Sequence, residues 1–317
     1  MRIISSVHME ERFITKLMGG FPNYKYIEKL ELANLSDLAQ AEVLITYGND
    51  ITPALLDKMD HLKWIHIMQS GMDNLPFEKL IEKEILLTNA KGINSVTIAE
   101  YLMGMMLNVA RNSYTFYEAQ KRKEWDFYTT IEELSNKTIG ILGFGAIGKE
   151  LAKRAKAFDM KVIALKRTET EILANVDELL SMKEKDRIFS ESDFVISLLP
   201  LTEDTRNYIG KQELSLMKSS AYLLNVSRGN IIHYPSLLDS LQSQQIAGAV
   251  LDVFHEEPLA VDSELWNMPN VFITPHVAGD RHPTYMVRAF DILYRNLQFY
   301  VSEHNNMINV IDIKQGY

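Results

Sequence analysis

A glycine-rich turn near the middle of the chain is the first segment with a recognisable chemical use. It matches the pattern G-x-G-x-x-G and consists of Gly143, Phe144, Gly145, Ala146, Ile147 and Gly148. The turn follows an apolar run at 138–142 and opens a stretch of helical spacing, which is the context that the pattern requires. Its backbone could approach a pyrophosphate, which the helix N-terminus would bind through N–H groups. A dinucleotide site is therefore predicted; a tight strand-to-helix turn without a ligand is the alternative.

The end of the next predicted strand bears on which dinucleotide the turn would hold. Proteins that bind NAD place Asp or Glu there, about 20 residues further on, to bind the ribose 2′-hydroxyl. This chain instead has Lys166, Arg167 and Thr168. These side chains would attract and hydrogen-bond a 2′-phosphate, which a carboxylate would repel. The sequence thus predicts that NADP(H) is preferred and NAD(H) possible; a solvent-facing Lys-Arg pair without a ligand is the alternative.

Short apolar runs that alternate with stretches of helical period would position these residues. The first candidate strands are 2–7, 24–27, 42–47, 62–69 and 85–89. A helix is predicted from Ser95 to about Tyr117, with Ser95 or Thr97 as its cap. The later candidate strands are 137–142, 162–166, 194–199, 221–226, 246–253 and 271–275, and a long helix is predicted from Pro283 to about Ser302. This alternation predicts an α/β fold with a doubly wound nucleotide-binding domain.

Composition narrows the class of protein and its partners. With 317 residues, 46% hydrophobic and 24% charged, the chain should form one or two globular domains. A formal net charge of −9 argues against nucleic acid as a partner. No apolar window approaches the ~18 residues of a membrane span, and the N-terminus does not read as a signal peptide. The lack of Cys excludes thiolate nucleophiles and Cys-ligated metals and fits a cytoplasmic protein. We predict no metal site.

Several further motifs occur in a fixed order along the chain. Besides the glycine turn they are SGMD at 70–73, LPLT at 199–202 with Thr205, NVSRG at 225–229, LDVF at 251–254, EPL at 257–259 and TPH at 274–276. Together they resemble the D-isomer-specific 2-hydroxyacid dehydrogenases, in the branch of the glyoxylate/hydroxypyruvate reductases. The matching segments cover most of residues 62–280. The resemblance implies hydride transfer between NADP(H) and a small 2-keto or D-2-hydroxy acid.

The same resemblance assigns the catalytic residues of the family to Arg228, Glu257 and His276. Reduction of a 2-keto acid needs a hydride at C2 and a proton on the carbonyl oxygen. His276 suits the proton donor because imidazole changes its charge near neutral pH. A neighbouring carboxylate, Glu257, would favour the imidazolium form. The fork of Arg228 could hold the substrate carboxylate and polarise the keto oxygen.

Binding residues also follow from the resemblance. The substrate carboxylate would contact Arg228 and the backbone of Ser70, Gly71 and Met72; a simple strand-to-helix turn is the alternative for this loop. Asp252 and His276 would lie beside the nicotinamide. The rest of the cofactor groove would be lined by Leu199, Pro200, Thr205, Val226 and Ser227.

The domain organisation is likewise an implication of the resemblance. It predicts two Rossmann-like lobes with the substrate in the cleft between them. A smaller, flavodoxin-like substrate domain would comprise residues 1–94 plus 281–317, and the dinucleotide-binding domain residues 95–280. Hinge closure would expel water before hydride transfer. A homodimer is expected by the same analogy.

Two other functions remain open at this point. A corepressor-like protein that senses dinucleotides could keep the same fold and the same residues, but it would turn over keto acids poorly. Within the enzymes, an NAD-dependent dehydrogenase of the phosphoglycerate or D-lactate type is the nearest alternative. The preferred cofactor and the rate of turnover distinguish these functions.

Overall fold

The computed structural model describes residues 2–32, 38–71, 75–166, 174–279, 283–302 and 306–312. The chain divides into two compact units. Unit 1 comprises residues 1–93 and 283–317, and unit 2 comprises residues 94–282.

Unit 1 is built on a five-stranded sheet. With elements numbered in chain order, its strands are β1 (Arg2–Ser5), β2 (Lys25–Glu28), β3 (Val43–Thr46), β4 (Trp64–Ile67) and β5 (Leu86–Asn89). Its helices are α1 (Glu11–Gly20), α2 (Pro53–Leu56), α3 (Phe77–Glu82) and α10 (Tyr285–Val301). The strands are parallel and run in the order β2-β1-β3-β4-β5. This is the flavodoxin-like order predicted for the smaller lobe.

Both faces of the unit 1 sheet are buried, because its central strands β3 and β4 carry mostly apolar side chains. Successive side chains of a strand point to opposite faces. Ile4, Leu44, Ile65 and Leu87 accordingly pack into one core, together with α2 and α3. Their neighbours Ile3, Val43 and Trp64 pack into a second core, which α1 and α10 complete. Residues from both ends of the chain thus share this second core.

His66 of β4 is a fully buried titratable group in unit 1. Its Nδ1 lies 2.8 Å from Thr88 Oγ1, which also accepts a hydrogen bond of 2.9 Å from Trp64 Nε1. Its Nε2 finds no hydrogen-bond partner among the described residues. Burial lowers the pKa of His66 from 6.5 to about 3. The folded chain therefore keeps this imidazole neutral.

We expect this histidine to destabilise the fold in mild acid. Between pH 6.5 and about 3 the imidazole of His66 binds a proton in the unfolded chain but not in the folded chain. The free energy of unfolding therefore falls as the pH is lowered through this window. The free energy of unfolding should drop by up to about 1.4 kcal/mol per pH unit from His66 alone. Urea unfolding of the wild type and His66→Phe between pH 7 and 4 measures the difference. Equal pH slopes in the two proteins would refute the assignment.

Unit 2 is built on a seven-stranded sheet. Its strands are β6 (Thr138–Leu142), β7 (Lys161–Leu165), β8 (Glu178–Leu180), β9 (Phe194–Ser197), β10 (Tyr222–Asn225), β11 (Gly248–Leu251) and β12 (Val271–Ile273). Its helices are α4 (Ser95–Ala110), α5 (Ser113–Arg122), α6 (Ala146–Ala157), α7 (Lys185–Glu191), α8 (Lys211–Leu216) and α9 (Tyr234–Gln242). The parallel order β12-β11-β10-β9-β6-β7-β8 confirms the doubly wound fold. All loops that follow these strands consequently leave from one edge of the sheet.

The helix predicted from Ser95 to about Tyr117 is wrong in its extent. The structure has two helices, α4 and α5, because the helix is interrupted at Arg111 and Asn112. Asn112 adopts a left-handed φ of 47°. The predicted caps are also wrong. Ser95 and Thr97 lie inside α4, which begins after Asn94 without a side-chain hydrogen bond at its cap.

Within the described ranges, every helix is too short or too polar to cross a membrane. The same ranges contain no group of three or more His, Cys, Asp or Glu side chains suited to a metal ion.

Candidate active site

The glycine turn joins β6 to α6 at the carboxyl edge of the unit 2 sheet. Gly143 has a φ of +92°, and a Cβ there would lie 3.0 Å from the carbonyl oxygen of Leu198. A Cβ at Gly148 would lie 3.1 Å from the ring of Phe144 and 3.3 Å from the carbonyl oxygen of Gly143. The left-handed backbone favours glycine at Gly143, and the close contacts disfavour a larger side chain at both positions. The turn is held tightly between β6, α6 and the loop after β9.

The turn also fits a dinucleotide. Gly145 is the N-cap of the twelve-residue helix α6, and a Cβ on it would meet no described atom within 4 Å. The first N–H groups of a helix have no intrahelical acceptor and bind phosphate well. Ala146 is exposed and Ile147 half-buried, whereas the Phe144 ring packs in the hydrophobic core. Phe144 would therefore contribute its backbone and not its side chain.

Lys166 directly follows β7, the strand next to the glycine turn. It is half-buried, and its N–H donates to the carbonyl oxygen of Leu180 in β8 over 3.4 Å. The strand β8 escaped the sequence prediction because it has only three residues, one of them Glu178. Arg167 and Thr168, which were predicted to act with Lys166, lie outside the described residues.

The predicted groove residues follow β9 and β10 along the same edge. Leu199 and Pro200 lie in the loop after β9, and Thr205 Oγ1 donates to the carbonyl oxygen of Pro200 over 2.6 Å. Val226 and Ser227 follow β10 and are buried. Ser227 Oγ lies 2.9 Å from Asn225 Oδ1 and 3.0 Å from Ser197 Oγ. These contacts hold the loop after β10 against the carboxyl ends of β9 and β10.

Arg228 lies in a sharp turn after β10. Asn225 Nδ2 donates to the Arg228 carbonyl oxygen over 3.0 Å, and Arg228 Nη1 donates to the Ser227 carbonyl oxygen over 2.8 Å. The next residue, Gly229, packs so closely that a Cβ would lie 1.9 Å from the carbonyl carbon of Phe254. The Arg228 turn is thereby fixed against the loop that leads to Glu257.

The structure brings Glu257 and His276 together. Glu257 Oε2 lies 2.8 Å from His276 Nδ1, and its Oε1 accepts the Phe254 N–H over 3.0 Å. Both side chains are partly exposed, at 37% and 46%. Because Glu257 occupies Nδ1, Nε2 is the nitrogen through which His276 can exchange a proton with a substrate.

Asp252 is buried and bonds to the turn that carries His276. Its carboxylate accepts Thr274 Oγ1 over 2.5 Å, Val277 N–H over 2.9 Å and Ala278 N–H over 3.0 Å. Its carbonyl oxygen accepts the His276 N–H over 2.8 Å. The carboxylate has a lone pair left over, which can accept the predicted hydrogen bond from the nicotinamide amide. The bonds to the turn were not foreseen.

The predicted carboxylate-binding loop lies in unit 1, after β4. Ser70 and Gly71 are described, and Met72 lies outside the described residues. Gln69 Nε2 donates to the Tyr47 carbonyl oxygen over 2.8 Å, and Asn89 Nδ2 donates to the Ser70 carbonyl oxygen over 3.0 Å. Asn89 is 1% exposed. The motifs did not mark Asn89. Its buried hydrogen bond to the Ser70 carbonyl oxygen anchors this loop to β5.

Comparison with known proteins places this arrangement in a family. A family model described as "D-isomer specific 2-hydroxyacid dehydrogenase, NAD binding domain" matches residues 103–278. The chain is 35% identical over 260 residues to glyoxylate/hydroxypyruvate reductase B of Escherichia coli, and the match covers 79% of each chain.

Solved structures give the same result. A D-isomer specific 2-hydroxyacid dehydrogenase family protein from Aeromonas salmonicida has a TM-score of 0.84 at 28% identity, over 98% of this chain and 99% of that chain. The NADPH-dependent glyoxylate/hydroxypyruvate reductase of Sinorhizobium meliloti, solved with NADP and sulfate, has a TM-score of 0.84 at 26% identity, over 100% and 99%. These matches confirm the predicted fold class. The chain therefore belongs to the D-isomer specific 2-hydroxyacid dehydrogenase family and is an oxidoreductase with an NAD-binding domain.

Proposed function

We propose that the chain reduces small 2-keto acids, such as glyoxylate or hydroxypyruvate, to the corresponding D-2-hydroxy acids with NADPH. The observation that carries this proposal is the contact of 2.8 Å between Glu257 and His276, at the sheet edge that also holds the glycine turn. An acid–base pair beside a dinucleotide site is what reduction of a carbonyl requires. The names of the relatives from E. coli and S. meliloti point to the same substrates.

Each proposed catalytic residue has a separate task. The bound dinucleotide supplies the hydride. His276 Nε2 gives its proton to the carbonyl oxygen, while Glu257 holds Nδ1 and stabilises the imidazolium. Arg228 binds the substrate carboxylate and polarises the keto group. Unit 1 would thus serve as the substrate domain and unit 2 as the dinucleotide-binding domain.

The preference for NADPH rests on the residues after β7. Lys166 is at the position where NAD-binding proteins have an acid, and Arg167 and Thr168 follow it. The relative from S. meliloti, by its title, is NADPH-dependent and binds NADP. Binding of a 2′-phosphate by Lys166, Arg167 and Thr168 accounts for this preference.

The test is the loss of reduced-nicotinamide absorbance with NADPH or NADH and a panel of 2-keto acids. We expect kcat/KM to favour NADPH. Lys166→Asp should lower kcat/KM for NADPH by about tenfold or more and leave NADH nearly unaffected, because one charge-assisted contact contributes about 1.5–3 kcal/mol. Lys153→Asp, an exposed lysine of α6, is the matched control.

The outcomes separate the alternatives. Preference for NADH would refute the cofactor assignment and favour a phosphoglycerate- or D-lactate-type enzyme. Tight binding of NADPH without turnover of any keto acid would favour the dinucleotide-sensing protein. Equal losses of kcat/KM for NADPH in Lys166→Asp and Lys153→Asp would show that the loss arises from the change in overall charge, and not from a lost contact with the 2′-phosphate.

We also propose a homodimer and a cytoplasmic location. Three aromatic side chains after α5 are almost fully exposed: Trp125 at 93%, Phe127 at 79% and Tyr128 at 91%. A cluster of exposed aromatic residues is typical of a protein interface. The molecular mass in solution tests the homodimer, and a monomer mass for the wild type would contradict this proposal. Cell fractionation tests the location.

A further inference from the structure

We propose that Tyr101 and Thr274 are positioning residues for His276, acting through the buried carboxylate of Asp252. The inference rests on the proposed catalytic role of His276. It concerns a hydrogen-bonded series that links helix α4 to the loop after β12, two segments far apart in the sequence.

The turn that carries His276 has an unfavourable backbone. His276 has a φ of +54°, a left-handed conformation that residues other than glycine seldom adopt without support. It follows Pro275, which has no N–H to donate. The backbone on both sides of the imidazole must therefore be stabilised by other groups.

Asp252, which directly follows β11, supplies that support. Its carbonyl oxygen accepts the His276 N–H over 2.8 Å. Its carboxylate accepts the N–H groups of the next two residues, Val277 and Ala278, over 2.9 and 3.0 Å. Asp252 is 1% exposed, so these bonds are shielded from water. The orientation of this one carboxylate consequently sets the direction in which His276 leaves the turn.

Thr274 and Tyr101 set the orientation of the carboxylate. The Thr274 hydroxyl gives its one hydrogen to Asp252 Oδ1 over 2.5 Å. Tyr101 Oη, 2.7 Å from Thr274 Oγ1, must then be the donor in that contact. Burial, with a contribution from the Asp252 charge, raises the pKa of Tyr101 to about 12, so its hydroxyl keeps this proton at neutral pH. The series from α4 thus has one direction: Tyr101 to Thr274 to Asp252.

The geometry predicts which kinetic quantity changes when the series is broken. Tyr101→Phe and Thr274→Val each remove one hydroxyl and nearly preserve volume. Either change lets the carboxylate rotate and moves the imidazole without removing it. Small misplacement of a catalytic group lowers the rate of the chemical step, so we expect kcat to fall by about tenfold. The KM for the keto acid should remain near the wild-type value.

The experiment compares five single variants and one double variant. Tyr101→Phe and Thr274→Val should lower kcat and shift the imidazole NMR signal that His276→Gln identifies as His276. Thr274→Ser keeps the hydroxyl and should retain both the wild-type kcat and the wild-type His276 signal. Tyr222→Phe, a half-buried tyrosine of the same core at the amino end of β10, is the control for lost packing and should change neither. In His276→Gln, the added Tyr101→Phe should not lower the residual kcat further.

Two outcomes would overturn the inference. One is an unchanged kcat and an unchanged His276 signal in Tyr101→Phe and Thr274→Val. The other is a kcat loss that Tyr222→Phe reproduces in proportion to its loss of Tm, since this would show a general packing effect. If His276→Gln keeps full activity, the proposed catalytic role of His276 fails. The NMR comparison then still decides whether Tyr101 and Thr274 position this imidazole.

Discussion

Replacement of His276 by Gln should lower kcat for the reduction of a 2-keto acid by about 10²- to 10⁴-fold, the usual contribution of general acid catalysis. Glutamine can keep a hydrogen bond to Glu257, which lies 2.8 Å from His276 Nδ1. It has no proton of suitable acidity to give to the carbonyl oxygen. The loss should therefore appear in kcat, while the Kd for NADPH remains near the wild-type value.

The neighbouring His255 provides a matched control. It is exposed in the same loop as Glu257, and its ring stacks on Tyr234 with 4.0 Å between the centroids. His255→Gln should retain nearly full kcat. Steady-state rates with NADPH and glyoxylate, together with fluorescence titration of NADPH, measure both variants. If His255→Gln lost as much activity as His276→Gln, the assignment of the proton donor to His276 would be wrong.

Arg228→Lys should lower kcat/KM by about 10²- to 10³-fold, as removal of a donor that stabilises developing negative charge usually does. Lysine keeps the positive charge but loses the planar fork, which binds a carboxylate through two parallel hydrogen bonds. The turn holds the arginine backbone through Asn225, and Gly229 packs against Phe254. A shorter, more flexible lysine cannot recover the lost contact by a shift of this backbone.

Arg206, exposed in the loop after β9, is the control for this substitution. Arg206→Lys should leave kcat/KM within about twofold, because surface substitutions usually change free energies by less than 0.5 kcal/mol. The effect of Arg228→Lys should also depend on the substrate. A keto acid should lose far more than the matching aldehyde without a carboxylate. Equal losses for the two compounds would contradict contact between Arg228 and the substrate carboxylate.

Much of the fold could be predicted from the sequence, since buried parallel strands are continuous apolar runs. Strands such as β3 and β9 consequently stand out. The three-residue β8 did not, and neither did the break between α4 and α5, where Asn112 adopts a left-handed conformation without Gly or Pro nearby. Local conformations of this kind depend on packing that periodicity does not record.

The candidate site was predictable only where its residues belong to ordered motifs. Glu257 and His276 were identified in this way, and the structure places them in contact. Tyr101 and Thr274 are 173 residues apart, and no local pattern relates them. Their contact follows from the position of α4 beside the sheet, which the order of the elements alone does not specify. The same holds for Asn89, whose bond to the loop at Ser70 depends on the pairing of β4 and β5.

The split of unit 1 between the two ends of the chain has a consequence for folding during synthesis. Ala289, Phe290, Leu293 and Leu297 of α10 close the core that contains Phe13 and Trp64. The ribosome makes all of unit 2 before it makes these four residues. At a translation rate of about 5–20 residues per second, the apolar face around Trp64 remains uncovered for roughly ten seconds or longer before α10 is made. Unit 2 can complete its own core in that interval, so the nascent chain should expose unit 1, and not unit 2, to chaperones.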